Sequence, residues 1–130
     1  MMKYSLLLIS MVLSVNALEM QDLVWQDSDD VKKVQKDWKS AKQYCEELTL
    51  GGKNDWRLPQ IKELQYIIDI KEYKPAIKDA FKNVSKGYYW SATSDVSTPN
   101  YAWNVGFRYG DTSKDSIVNE FYVRCVREDN

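Results

Sequence analysis

Apolar and polar positions along the chain alternate with two different periods, and the change of period divides it into elements. Leu23-Val24-Trp25-Gln26 is a short apolar run that ends in Asp27-Ser28-Asp29-Asp30, a run of turn-forming residues, so it predicts a first strand. Trp38, Ala41, Cys45 and Leu48 then recur at steps of three and four. That spacing puts them on one face of a helix, with Asp37 as N-cap and Gly51-Gly52 as its stop. In Asp55-Trp56-Arg57-Leu58-Pro59 the period falls to two, sending Trp56 and Leu58 to one side and Asp55 and Arg57 to the other. Pro59 opens a second helix whose apolar stripe is Ile61, Leu64, Ile67 and Ile68. From Lys71 to Lys86 the pattern is irregular, broken by Pro75, with Ile77, Ala80 and Phe81 as packing residues. The last third reads as sheet. Tyr88 to Thr93 form a strand, Ser94 to Asn100 a polar loop, and Tyr101 to Phe107 an alternating strand. Gly110 to Asp115 form a turn, and Val118 to Arg127 a final strand carrying Cys125. A strand, two helices and then an antiparallel sheet make an α+β fold of one domain, with no internal repeat and no linker.

The first residues stand outside this pattern. Lys3 is followed by the uncharged apolar run Tyr4 to Val15, 12 residues long, and then by Asn16-Ala17. A positive residue, an apolar run and a small residue in that order predict a signal peptide over residues 1–17, and the run is too short to span a bilayer. The mature domain is then 18–130, exported to the periplasm or the cell surface, with no transmembrane segment. No cysteine follows the cleavage position, so a lipid anchor there is not expected. Lys3 is the only charge before position 18, so cleavage takes the net charge from −1 to −2. Basic and acidic residues are interspersed, which gives no footprint for nucleic acid. Lys32-Lys33-Val34-Gln35-Lys36 follows three aspartates and reads as a solvated face.

The 2 cysteines, Cys45 and Cys125, lie near opposite ends of the mature domain. In an exported chain they suggest one disulfide. The alternative is two free thiols, but the chain has 0 histidines, so no imidazole is present to activate either one. Serine–histidine and cysteine–histidine couples and the usual zinc sites are absent for the same reason. The adjacent carboxylates Glu46-Glu47 and Asp29-Asp30 read as solvated surface. No catalytic residue, metal or cofactor is expected.

The ordered series Trp38, Ala41, Cys45, Gly51-Gly52, Asp55-Trp56-Arg57-Leu58-Pro59, Glu63-Leu64, Tyr89-Trp90-Ser91, Ala102-Trp103, Phe107, Gly110 and Val123-Arg124-Cys125-Val126-Arg127 resembles the Lcl C-terminal domain family, from about Leu23 to Arg127. That family takes its name from the end of a bacterial collagen-like adhesin that binds sulfated polysaccharide. The resemblance implies a C-type-lectin-like fold, two helices flanking a small twisted antiparallel sheet, with one disulfide from the first helix to the last strand. It also implies a distant similarity to formylglycine-generating, sulfatase-modifying domains. Gln60 stands where the family often has Thr, which predicts a slightly weaker cap on the second helix. No collagen-like stalk is present, so trimeric presentation is not implied.

A lectin-type calcium site would draw on a loop and a Trp-Asn-Asp run. Here the loop offers Ser94, Asp95, Ser97, Thr98, Pro99 and Asn100, but the strand reads Trp103-Asn104-Val105. The strand carboxylate is missing, so no calcium site is expected. Asp55 and Arg57 read first as structural anchors. Most of the 5 tryptophans belong in a core. Exposed Tyr88, Tyr101, Trp103 or Tyr109 would suit stacking on a sugar or peptide. Asn100, Tyr101, Trp103, Asn104, Arg108 and Tyr109 are therefore the candidate ligand-binding residues. Asn83-Val84-Ser85 matches a glycosylation sequon and is read as chance. The expected function is a non-catalytic binding or adhesion module for a glycan or an envelope or surface protein. The alternatives are a divergent enzyme of the formylglycine-generating type and a structural component of an envelope assembly.

Overall fold

The structure, a computed structural model, describes residues 17–20, 22–72 and 74–129. Lys3, the apolar run Tyr4 to Val15 and Asn16 lie outside the described residues. In chain order the elements are β1 (Ala17–Met20), β2 (Leu23–Gln26), a 3-10 turn (Asp29–Lys32), β3 (Gln35–Lys36), α1 (Trp38–Glu47), α2 (Ile61–Tyr66), β4 (Tyr88–Ser94), β5 (Tyr101–Gly106), β6 (Asp111–Ser116), β7 (Phe121–Tyr122) and β8 (Val126–Glu128). The fold is α+β. A three-stranded antiparallel sheet runs β1-β2-β8, and a five-stranded sheet runs β3-β7-β4-β5-β6. The larger sheet is mixed rather than antiparallel, because β7 joins β4 in parallel.

Alternation along the strands divides the core in two. Trp90 and Ala102 face one cluster, with Ala41 and Cys45 of α1, Trp56, Leu58, Val24, Val123 and Cys125. Tyr89 and Val105, their chain neighbours or near neighbours, face the other, with Leu64 and Ile67 at α2, Trp25, Ile77, Phe81, Phe107 and Val126. The two helices therefore pack on opposite faces of the larger sheet. Successive residues point to opposite sides of a strand, so one strand sequence furnishes both clusters. Cys45 and Cys125 are bridged, with Cα atoms 5.5 Å apart and 80 positions between them.

The Asp37 carboxylate accepts the Ser40 N–H at 2.9 Å and caps α1, as its position in the sequence predicts. The expected stop is placed differently. α1 ends at Glu47, with Leu48 already extended, and Gly51 and Gly52 instead shape the Leu50–Lys53 turn at φ 62° and 74°. Pro59 is buried just before the cap, and α2 starts at Ile61. The weakened cap expected from Gln60 is compensated from another element. The Thr93 hydroxyl on β4 accepts the Ile61 N–H at 2.9 Å and donates to Gln60 Oε1 at 2.8 Å, while Glu63 accepts the Gln60 N–H at 2.8 Å.

Three further expectations are corrected. Ala80 is exposed: it lies in a turn between buried Ile77 and Phe81. Asp111 to Asp115 form most of an edge strand, not a turn, paired residue for residue with β5. Of that stretch only Gly110, at φ 77°, belongs to the reversal, which spans residues 107–110. Polar side chains suit an edge strand, where charge also discourages pairing with other chains. The long final strand breaks into β7 and β8 in different sheets, joined by Val123-Arg124-Cys125, and Cys125 sits in that connection rather than on a strand. Val123 and Cys125 enter the first cluster while Arg124 points to the second, at Phe81 and Tyr89, so the connection is buried on both sides.

Candidate functional site

The Asp55-to-Pro59 segment is built into the fold. Asp55 and Arg57 do not pair with each other. Asp55 holds Arg127, at 2.6 and 3.2 Å. Arg57 exchanges both backbone hydrogen bonds with Val126 at 2.8 Å. Its guanidinium takes Glu63 in a bidentate pair at 2.8 Å and Glu128 at 3.1 and 2.9 Å. Hydrogen bonds donated to the Glu63 and Glu128 carboxylates hold that guanidinium above its ordinary value. Burial pushes the Glu63 carboxyl up, but Arg57 and the Gln60 N–H outweigh it and leave it lowered. Trp56, Leu58 and Pro59 are buried beneath these pairs. Arg57 thus ties the entry of α2 to β8. Replacing Arg57 with Ala is expected to lower stability by about 1–2 kcal/mol, solvent screening included. Arg57→Lys recovers less than half of this, because an ammonium makes no planar fork. Urea denaturation checks both values; a loss below about 0.5 kcal/mol for Arg57→Ala removes the anchoring role.

Tyr89, Trp90 and Ser91 are buried and equally structural. Tyr89 donates to the Val31 carbonyl, Trp90 to the Lys36 carbonyl at 2.9 Å and Ser91 to the Trp103 carbonyl at 2.7 Å. Asn83 of the sequon is also occupied. Its side-chain amide donates to the Asp27 carbonyl at 2.6 Å and its N–H to the Asp27 carboxylate at 3.0 Å.

The six candidate binding residues fall into three places. Asn100, Tyr101 and Trp103 lie together where the 95–100 loop enters β5. Asn100 is exposed at φ 62°, and its carbonyl accepts the Ile117 N–H at 2.9 Å. Tyr101 is 37% exposed and Trp103 is half-buried. Asn104 points to the opposite face, fully buried, its amide donating to Asp115 at 2.8 Å. Arg108 and Tyr109 lie beyond the other end of β5, about 17 Å of strand away. There Tyr109 is 56% exposed, and Gly110 beside it lies close to Ile70, which is 81% exposed. One ligand-sized site does not contain all six residues.

Two residues absent from that set complete the first place. Asp95 closes the loop base, its N–H donating to the Tyr101 carbonyl at 2.8 Å. One carboxylate oxygen accepts the Ser97 N–H and hydroxyl at 3.3 and 3.0 Å. The other takes Lys114 at 2.8 Å. Lys114 stands opposite Trp103 on β6, its ammonium 5.5 Å from the ring centre. The hydrogen bond from Lys114 holds the Asp95 carboxyl far below the usual carboxylate range. The result is a loop fixed at its base, fully exposed Val96 near its tip, and two aromatic rings beside it. Among the described residues no group of three or more His, Cys, Asp or Glu side chains is placed to hold a metal ion. No helix among them is long and apolar enough to cross a membrane.

A family model for the Lcl C-terminal domain matches residues 19–127, from within β1 to within β8. The chain belongs to that family. No curated protein matches it. The Lcl C-terminal domain here therefore takes in both sheets, both helices and the disulfide.

Proposed function

We propose that this Lcl C-terminal domain is an exported, non-catalytic binding or adhesion module of lectin-like architecture. It acts in the periplasm or at the cell surface on a glycan or an envelope or surface protein. The lectin-like reading is supported by helices on opposite faces of one sheet and by a bridge from the first helix to the entry of the last strand. The recognition surface is Tyr101, Trp103 and the 95–100 loop. The observation that carries this is the braced base of that loop: Asp95, tied to Tyr101, Ser97 and Lys114, supports a loop flanked by exposed aromatic and apolar groups. Preorganised surface of this kind loses little entropy on binding. The alternative of a cysteine-dependent oxidase is disfavoured, because Cys45 and Cys125 are both in the bridge and no cysteine is free among the described residues.

Capture of ligand from glycan arrays and envelope extracts by the mature protein tests the assignment. Trp103→Ala is expected to weaken capture by about ten-fold or more, as loss of a central aromatic contact does. Capture unchanged in Trp103→Ala and Tyr101→Ala places the surface elsewhere. Export is checked by N-terminal sequencing of secreted material, expected to begin at Leu18.

A further inference from the structure

We infer that the surface proposed above takes a neutral saccharide rather than an anionic one; this rests on that surface being the recognition site. Tyr101 and Trp103 are two apart on β5, so their side chains leave the same side of the strand with Cα atoms roughly 6.7 Å apart. Two aromatic side chains at that spacing offer successive apolar faces to the C–H faces of a short run of pyranose rings. Neutral hydrogen-bonding groups lie beside them: Asn100 is exposed, and Ser116 stands opposite Tyr101. These suit sugar hydroxyls.

The charge balance decides the class. Lys114, the cation set against the Trp103 ring, is committed. Its ammonium lies 2.8 Å from the carboxylate of Asp95, whose side chain is only 5% exposed. A sulfate or carboxylate on the ligand that drew Lys114 away would strand that carboxylate, buried and without its counter-ion. With the pair intact these two groups present no net charge, so they add little attraction for an anionic chain and cost a neutral one nothing. Lys114 instead positions the Trp103 ring from one side.

The test uses the mature, disulfide-bonded protein and calorimetric titration at low and high salt. The probes are oligomers of glucose and of N-acetylglucosamine, with dextran sulfate for comparison. The inference expects a neutral oligomer to bind with an affinity that salt leaves within two-fold. Trp103→Ala and Tyr101→Ala should each weaken it at least ten-fold while circular dichroism shows the fold retained, and Ile70→Ser, near the far end of β5, should leave it unchanged. Tighter binding of dextran sulfate that needs Trp103 and falls steeply with salt overturns the neutral class but keeps the surface. No saccharide binding, together with a protein captured in a Trp103-dependent way, also overturns the inference and keeps the surface. No ligand of any class that depends on Trp103 or Tyr101 overturns both.

Discussion

Cys45→Ala lowers the stability of this domain by about 4 kcal/mol, and Cys125→Ala by a similar amount. The bridge closes a loop of 80 positions, and in the chain-entropy account a loop of that length withdraws roughly this much freedom from the unfolded chain. Small domains retain only about 5–15 kcal/mol in total, so the loss is a large fraction. Position adds to length. Cys125 sits in the connection between the two sheets, and Cys45 in the face of α1 that packs on the larger one, so the bridge ties three units together. Both residues are fully buried. Reductant therefore reaches the sulfurs only when the core opens, and mild thiol treatment of native protein leaves the bridge intact. Urea titration of the oxidised protein, the reduced protein and the double alanine variant measures the effect. The two disulfide-free forms should agree to within about 1 kcal/mol of each other, because a buried thiol and a methyl group differ little in packing. A difference below about 1 kcal/mol between oxidised and double-variant protein would mean that the core alone holds the sheets together.

The pairing was legible in the sequence, because two cysteines in a chain read as exported leave one intramolecular bridge to make. Both helices were legible from their apolar stripes, and Trp56 and Leu58 from a period of two. What escaped notice had specific causes. Asp111-Thr112-Ser113-Lys114-Asp115 contains no apolar residue, so nothing in its pattern separates an edge strand from a turn. The register of β6 on β5 was hidden with it, and so was the encounter of Lys114 with Trp103 and Asp95. No spacing rule links residues 95 and 114. Val118 to Arg127 read as one strand because Val118, Phe121, Tyr122, Val123 and Val126 all favour strands, although residues 118–120 lie in a turn before β7. The break comes from tertiary burial, since Val123, Arg124 and Cys125 must serve both clusters. The candidate binding residues are spread over separate places for a geometric reason. Proximity in sequence along a strand places Asn104 on the face opposite Trp103, and Tyr109 a whole strand length away from Tyr101.

Arg124 is where the chain departs furthest from simple patterning, and its removal carries the other large effect. It is a fully buried cation. One Nη donates to the Gln26 carbonyl at 2.6 Å and to Asp27 at 3.2 Å, and the other to the Asn83 carbonyl. The guanidinium carbon lies 4.8 Å from the Phe81 ring centre and 5.7 Å from that of Tyr89. Burial pushes the guanidinium down from its ordinary value, and Tyr89 and Asp27 oppose that. Asp27 in turn accepts the Lys82 and Asn83 N–H groups at 3.0 Å. One ion pair thus joins the end of β2, the 82–83 segment and the connection between the sheets. Arg124→Met removes the cation but keeps most of the volume, and leaves Asp27 charged, buried and short of a partner. A cost of about 3–5 kcal/mol follows. Adding Asp27→Asn removes the stranded charge while retaining an acceptor for one backbone donor, so the double variant should recover at least about 1 kcal/mol relative to the sum of the single losses. Chemical denaturation of the four proteins closes the cycle. Strict additivity would show that Arg124 acts through its carbonyl contacts and ring packing alone. A loss under about 1 kcal/mol in Arg124→Met would show that the core replaces the cation as readily with hydrocarbon, and that this residue fixes which strands meet rather than how firmly they hold.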